Sequence, residues 1–180
     1  RSNYEKVVSL GTLYVEPLLV FHNEKDVVRL SELKGKRIAV GREGSGTRLL
    51  SLHILSNNGI MPGGSTPLLD YEGEEAATEL LENRIDVAFM MGDSASYTTT
   101  RKLLRNPKLS LYSFAQADGY VRRNSFLNRL ELPRGTYDFG LDIPSHDVDL
   151  IGPSVELVAR KGLHPALCDL LIEAAKELYA

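Results

Sequence analysis

The chain contains Val40-Gly41-Arg42-Glu43-Gly44-Ser45-Gly46-Thr47-Arg48 between two segments of different character. Before it, residues 37–40 form a short run rich in β-branched apolar side chains, which is typical of a buried strand. After it, apolar residues recur at helical spacing over residues 49–56. The quoted stretch is therefore predicted to be a strand-to-helix turn. Its three glycines let the backbone turn sharply and leave no side chains in the way of a small ligand.

Anion binding is the chemistry that this turn predicts. The hydroxyls of Ser45 and Thr47, the unpaired N–H groups of the first helical turn and the positive end of the helix dipole would converge on one point. The alternative is a tight turn in which a Ser or Thr hydroxyl only caps the helix. The residues of the turn leave both interpretations open.

The spacing of the glycines does not fit the common nucleotide-binding motifs. Residues 41–46 have the G-x-x-x-x-G skeleton of a phosphate-binding loop, but Thr47 occupies the position of its Lys and Arg48 that of its Ser or Thr. The glycine order also differs from the G-x-G-x-x-G fingerprint of dinucleotide-binding folds. Nucleotide hydrolysis is therefore rejected.

The composition is that of a globular chain. With 180 residues, of which 43% are apolar, it can form one large domain or two small ones with a packed core. The net charge is −3 and Lys and Arg are scattered, which argues against nucleic acid as a partner. The single cysteine, Cys168, excludes an internal disulfide, and its place in an apolar helical pattern predicts a buried side chain.

Neither a membrane span nor a metal or cofactor site is predicted. Apolar runs stay well below membrane-spanning length, and residues 1–6 lack the pattern of a signal peptide. The histidines show no metal-ligand spacing, and each is expected to be a surface or capping residue. They are His22, His53, His146 and His164.

Strands alternate with helices through the middle of the chain. Strands are predicted at residues 37–40, 67–71, 85–91 and 109–114, and helices at residues 49–57, 72–83, 95–104 and 119–130. Residues 85–91 are almost purely apolar, as expected for a central parallel strand buried on both faces. The alternation predicts an α/β fold with a doubly wound, mostly parallel sheet.

The two ends of the chain have a different texture. Residues 7–21 are predicted to form one long extended segment of the kind that runs from one lobe to another. Residues 132–138 are a turn-rich loop, residues 143–149 are predicted to be irregular, and residues 155–159 are a second extended run. A final helix starts at His164-Pro165, with apolar residues at i, i+3, i+4 and i+7.

Four segments carry a resemblance to a known family. They are residues 31–41 (SELKGKRIAVG), 44–48 (GSGTR), 85–92 (IDVAFMMG) and 132–137 (LPRGTY). In this order they resemble the solute-binding subunits of TRAP transporters of the TAXI type and, more broadly, type II periplasmic binding proteins. The first two segments are shared by many type II binding proteins, whereas their combination with the G-T-Y turn narrows the resemblance to the TAXI branch.

The resemblance implies a non-catalytic, two-lobed receptor in the periplasm or otherwise outside the cytoplasm, with any membrane anchor outside the 180 residues. Such a receptor closes on a small organic anion or amino acid and passes it to TRAP-type membrane subunits. Residues 1–34 would be the hinge-crossing strand and its connection, and residues 35–131 the second lobe, an α/β ligand-binding unit. Residues 132–180 would be the return crossing and a terminal helix that belongs to the first lobe.

A departure from the family concerns the first lobe. The resemblance implies roughly a hundred further residues of that lobe ahead of the first crossing. Without them, the chain presents one side of a cleft, and its hinge strands and terminal helix leave apolar surface uncovered. Self-association of this segment is therefore expected.

The resemblance also places the ligand site. The second-lobe anion site would consist of Gly44, Ser45, Gly46, Thr47 and the adjacent Arg48. The Arg48 guanidinium can form a bidentate pair with a ligand carboxylate, or it can point to solvent from the first turn of the helix. The sequence does not decide between these two orientations.

Five further residues are candidate ligand contacts. Tyr14 and Glu16 lie on the hinge strand, and Gly92 and Asp93 end the central strand at its carboxyl edge, where open α/β sheets collect their ligands. Tyr137 lies in the G-T-Y turn and can close a loop over the hinge. Four of them have a structural alternative. Tyr14 and Glu16 can form local contacts on their strand, Asp93 can cap the next helix, and Tyr137 can serve packing.

Two rival functions were considered. A serine hydrolase would use residues 92–96, where the G-x-S-x-G nucleophile elbow is matched except that Ser96 replaces its last glycine. Asp142 with His146 or His164 would complete its triad. The missing glycine, which lets the helix pack closely, argues against this alternative. The second rival is a sensory domain that reports its ligand to an attached signalling segment.

Overall fold

Residues 6–179 fold into two β-sheets, and the computed structural model describes every side chain among them except that of Asp93. Residues 1–5 of the predicted hinge-crossing unit and Ala180 of the terminal helix lie outside the described residues. In chain order the strands are β1 (Val7–Val15), β2 (Leu19–His22), β3 (Ile38–Ala39), β4 (Leu68–Leu69), β5 (Val87–Met90), β6 (Ser110–Leu111), β7 (Leu127–Leu132) and β8 (Val148–Arg160). The helices are α1 (Gly46–Asn57), α2 (Gly73–Leu81), α3 (Tyr97–Leu104), α4 (Ala117–Arg123) and α5 (Pro165–Tyr179), with 3₁₀ turns at Leu30–Leu33 and Gly92–Ala95.

The larger sheet has five strands in the order β4-β3-β5-β2-β6, and β5 is at its centre. β3 pairs in parallel with β4 and β5, as predicted, whereas β2 pairs antiparallel with β5 and β6. Val87 and Phe89 of β5 belong to the apolar cluster on one face, and Ala88 and Met90 to the cluster on the other. The α/β fold and the two-sided burial of the central strand are therefore confirmed.

The smaller sheet has three antiparallel strands in the order β1-β8-β7. The first part of β8 is buried, with Val148, Leu150 and Ile151 in the core, while its second half is mostly half-buried or exposed. β1 lies on an edge and is largely exposed. The end of the molecule that holds β1 and the second half of β8 therefore contributes little to the core.

The two sheets meet where the chain crosses from β1 to β2. The amide of Glu16 donates to the carbonyl of Pro153 (3.0 Å), and the amide of Leu18 donates to the carbonyl of Ile151 (2.9 Å). Gly152 lies between these two acceptors, and a Cβ built on it would be 1.9 Å from the Glu16 carbonyl oxygen. Only glycine permits this approach of the two backbones.

The structure corrects three of the predicted elements. Residues 7–21 are not one strand, because the chain breaks at residues 16–18 and its two halves join different sheets. The predicted helix 119–130 is helical only to Arg123. Its remaining part is replaced by β7, which pairs with β8 and whose alternate side chains face inward. Within the predicted irregular segment 143–149, β8 already begins at Val148.

The terminal helix α5 exists as predicted but is poorly covered. None of its described residues is buried, and the side of the helix that holds Ile172 and Ala175 lines a cavity of about 280 Å³ against β1 and β8. Cys168 is partly exposed, so its predicted burial is wrong. A second apolar stripe faces solvent, with Leu167 at 48%, Leu171 at 41% and Leu178 at 76% exposure.

The exposed stripe generates a first prediction. We expect the chain to self-associate in solution, because burying this apolar surface is favourable. Leu171→Lys should weaken self-association, since a charge in the contact must be desolvated. Glu173→Gln on the polar side of α5 makes the same change of one charge unit and should leave association unchanged. Multi-angle light scattering reports the mass, and a 19.9 kDa monomer of the unsubstituted chain at all concentrations contradicts the prediction.

The contact at Gly152 generates a second prediction. Gly152→Ala should destabilise the chain by about 3 kcal/mol or more, because the added methyl forces the crossing away from β8. Gly119→Ala is the matched control, since a Cβ at this helical position meets nothing within 4 Å. Its effect should be neutral or stabilising by about 0.5 kcal/mol. Urea denaturation measures both changes, and equal stability of the two variants rules the explanation out.

Candidate functional site

The glycine turn at residues 41–48 forms because several local interactions agree. Gly41 has φ 93°, and a Cβ there would lie 2.9 Å from the Arg48 nitrogen, so a side chain is not tolerated. Ser45 is the N-cap of α1, with its backbone extended and its Oγ accepting the amide hydrogen of Arg48 at 3.1 Å. The amide of Leu49 donates to the Ser45 carbonyl at 3.2 Å and starts the helix. The predicted strand-to-helix turn and its cap are confirmed.

Capping leaves part of the helix start unoccupied. The Ser45 amide donates to the Arg42 carbonyl at 3.1 Å, and the Arg48 amide to the Ser45 hydroxyl. No oxygen in the described part of the chain accepts the amide hydrogens of Gly46 and Thr47. These two donors begin a 12-residue helix, so its positive dipole end adds to their attraction for an anion. Capping and anion binding therefore use different amides of the same turn.

The unoccupied amides open into a surface cleft of about 490 Å³. It is lined by Arg42, Ser45, Gly46, Thr47, Glu72, Gly73, Met91 and Ser94. The cleft lies at the carboxyl end of β5, where the predicted central strand delivers Met91. A Cβ on Gly46 would lie 3.6 Å from Met91 Cε, so the turn and the end of β5 are close neighbours.

A second helix also begins at the cleft. Gly73 is the first residue of α2, and Glu72 at its N-cap makes no side-chain capping bond. The structure does not describe the Asp93 side chain. Among the other groups of residues 6–179, no oxygen accepts the amide hydrogens of Gly73 and Glu74. The carboxylate of Glu72 lines the same cleft. The site therefore combines backbone donors with an acidic side chain.

The Arg48 side chain does not point into the cleft. Its Nη1 donates to the Gly41 carbonyl at 3.1 Å and forms an ion pair with Asp70. The structure shows neither of the two orientations predicted for it, toward a ligand or toward solvent, because the side chain is paired with Asp70 and only 26% exposed. Arg48 holds the Gly41 carbonyl of the glycine turn and does not line the cleft.

Gly92 and Glu16 meet beside the cleft. Gly92 has φ 59° and begins the 3₁₀ turn after β5, and its amide donates to Glu16 Oε1 at 3.1 Å. The turn also contains Asp93, whose side chain lies outside what the structure describes. The contact brings together two predicted site residues that are 76 positions apart in the chain.

The two tyrosines of the predicted site pack elsewhere. The Tyr14 ring stacks on Tyr179 of α5, with the ring centroids 5.3 Å apart. The Tyr137 ring stacks on Tyr97 at 5.2 Å, and burial raises the pKa of Tyr137. Next to it, Asp138 accepts hydrogen bonds from Arg101 of α3, from Arg105 directly after α3 and from the Leu141 amide. The hydrogen bonds, with that from Arg105 the strongest cause, lower the pKa of Asp138 to about 2.

Sequence reasoning missed part of the cleft lining, namely Arg42, Glu72, Gly73, Met91 and Ser94. A signal for Gly73 was available, because residues 68–73 repeat the order of strand, glycine and helix seen at residues 38–46. Arg42 belongs to the glycine turn itself, where its guanidinium pairs with Glu75 at 2.9 Å. Ser94 was considered only as a nucleophile.

The side chains of the hydrolase alternative have other partners. Ser94 Oγ accepts the Met91 amide hydrogen at 2.8 Å and donates to the Met91 carbonyl at 2.7 Å. Asp142 pairs with Arg134, and His164 Nδ1 accepts the Ala166 amide hydrogen. His146 Nδ1 lies 3.3 Å from the hydroxyl of the adjacent Ser145. The Ser94 hydroxyl is therefore engaged with its own turn, and its proton is not held by a histidine.

The described residues form neither a metal-binding cluster nor a membrane-spanning helix. Among these residues, groups of three or more His, Cys, Asp or Glu side chains placed to hold a metal ion are not found. Across the same part of the chain, each helix is too short or too polar to cross a membrane.

Three of the solved structures with a similar fold are named as binding proteins. One is an ancestral arginine-binding protein bound to arginine, with 14% identity, a TM-score of 0.56, and 99% of this chain and 62% of that chain covered. Another is an ancestral arginine-binding protein bound to glutamine, with 13% identity, a TM-score of 0.54, and 99% of this chain and 61% of that chain covered. A third is the amino acid ABC transporter substrate-binding protein AbpA from Streptococcus pneumoniae Canada MDR_19A, bound to L-arginine. It has 12% identity, a TM-score of 0.51, and 99% of this chain and 58% of that chain covered.

These similarities show the predicted type II periplasmic binding protein fold. The chain spans 58–62% of the length of these solved structures. Among curated proteins, none matches the sequence. The TAXI subtype stays a prediction, because neither the family model nor these solved structures name it. The family model, described as the NMT1-like family, matches residues 1–178. The chain therefore belongs to the NMT1-like family.

Proposed function

We propose that the chain is the ligand-binding part of a solute-binding receptor and that the turn of residues 44–47 binds the carboxylate of a small organic anion or amino acid. The observation that carries the proposal is the pair of amides at Gly46 and Thr47, which open into the cleft without an acceptor among the described residues. Backbone N–H groups at a helix start are suited to an anion because they combine hydrogen bonding with the helix dipole.

Binding would exchange water for protein donors. The amides of Gly46 and Thr47 replace water molecules around the carboxylate, and hydrogen bonds to a charged group contribute about 1.5–3 kcal/mol each. The Ser45 oxygen accepts from Arg48, which leaves its hydroxyl proton available as a further donor. The Thr47 side chain also lines the cleft. A second lobe that excludes solvent would strengthen all these contacts.

The charges around the cleft favour an amino acid over a dicarboxylate. Glu72 lines the cleft, while the positive charge of Arg42 is already paired with Glu75. A second ligand carboxylate would meet Glu72 without a free basic partner, whereas an ammonium group would be attracted to it. Asp93, in the turn after β5, stays a predicted ligand contact. Tyr14 and Tyr137 remain predicted contacts of the closed, complete receptor.

The receptor is proposed to work outside the cytoplasm and to deliver its ligand to a membrane transporter. The resemblance of the G-S-G-T and G-T-Y segments favours TRAP-type membrane subunits. The fold is shared with AbpA, whose name assigns it to an ABC transporter. The division into a hinge-crossing unit (1–34), a second lobe (35–131) and a return crossing with the terminal helix (132–180) is part of the same proposal.

Replacing Gly46 by proline tests the amide contact directly. Gly46 is the first helical residue, where proline is tolerated, and Ser45 before it is extended, as the residue before proline must be. Gly46→Pro removes the N–H and should weaken binding about 10- to 100-fold. Gly46→Ala keeps the N–H, and its Cβ meets Met91 Cε at an ordinary 3.6 Å. It should therefore bind normally.

The measurement is calorimetry on the full-length protein with the twenty amino acids and C4 dicarboxylates. The best ligand is then compared with its carboxamide, which removes the negative charge and should bind weakly to every variant. Ser45→Ala with Thr47→Ala should abolish binding without unfolding the protein. Equal affinity of the Gly46→Pro and Gly46→Ala variants defeats the proposal.

A further inference from the structure

The crossing connection, which we define as residues 16–18, is fixed to the smaller sheet by its backbone. The amides of Glu16 and Leu18 donate to β8 carbonyls on both sides of Gly152. The Glu16 carbonyl lies so close to Gly152 that a Cβ there would be 1.9 Å from it. A displacement of β8 therefore carries the crossing connection with it.

The Glu16 side chain reaches the opposite way, toward the cleft. Its Oε1 accepts the amide hydrogen of Gly92 at 3.1 Å, and its Cδ is 3.9 Å from the position of a Cβ on Gly92. Gly92 directly follows Met91, a residue of the cleft lining, and starts the 3₁₀ turn that contains Ser94. The carboxylate thus holds the first amide of this turn.

The rest of the turn is held from within. The Ser94 hydroxyl bonds both the amide and the carbonyl of Met91, so Met91 and Ser94 are fixed relative to each other. Neither bond ties the turn to the smaller sheet. The Gly92 amide is the donor through which Glu16 links the turn to the crossing connection.

We propose that Glu16 is a positioning residue, whose carboxylate couples the crossing connection to the Met91–Ser94 wall of the cleft. The inference rests on the proposed function, because it assigns to that wall a role in ligand affinity. It adds a path by which movement of the smaller sheet changes the cleft: β8 moves the connection at Gly152, and Glu16 moves the wall at Gly92.

Two substitutions of Glu16 distinguish the effect of its side-chain length from the effect of its charge. Glu16→Gln keeps a side-chain oxygen at the same reach and loses the negative charge, whereas Glu16→Asp keeps the charge and is one methylene shorter. In ligand-free protein, hydrogen exchange at the Gly92 amide should be about tenfold faster in Glu16→Asp. In Glu16→Gln it should stay within about threefold of the unsubstituted protein. Unchanged Gly92 exchange in Glu16→Asp overturns the proposal.

Ligand affinity supplies the second readout, with the amino acid selected by calorimetry as the probe. If Glu16 is a positioning residue, Glu16→Asp should bind the amino acid about tenfold more weakly than the unsubstituted protein, and Glu16→Gln should bind it with the affinity of the unsubstituted protein. The reverse order, with Asp active and Gln inactive, means that the charge of Glu16 contacts the ligand and overturns the proposal. Failure of the proposed function is recognised separately, because it appears as unaltered binding in Gly46→Pro while the Gly92 exchange result stands.

Discussion

The burial of β5 on both faces is the constraint on which the rest of the structure depends. Its alternate side chains belong to the two apolar clusters, so helices must cover the sheet on both sides before the strand is removed from water. A strand buried in this way can expose only its end. Met91 directly follows that end, and the starts of α1 and α2 lie beside it. The cleft is therefore located by the core.

Helix capping and anion binding use different amides of the glycine turn, so the two interpretations of this turn are compatible. Ser45 caps the helix through the Arg48 amide, the third in the helix, as N-cap residues commonly do. The first two amides, of Gly46 and Thr47, are left for an external acceptor. Arg48 contributes by holding the Gly41 carbonyl while it pairs with Asp70. Arg48 thus shapes the site without lining it.

Local patterns predicted the parts of the fold that depend on neighbours in sequence. The strand, turn and helix of residues 37–57 were predicted because periodicity, glycine positions and capping are all local signals. The predicted helix 119–130 was partly wrong because β7 owes its conformation to β8, a strand more than fifteen residues away. The Arg48–Asp70 pair and the Glu16–Gly92 bond were not predicted for the same reason. Sequence spacing does not reveal which distant groups meet.

The two helix starts at the cleft have a consequence for the conditions under which the molecule works. Backbone amides carry no ionisable proton, so their attraction for a carboxylate does not vanish when the surroundings become mildly acidic or alkaline. A pocket built on histidine would change its own charge with such shifts. The attraction of this turn for an anion therefore holds over a wide range of pH, provided that the glycine geometry is kept.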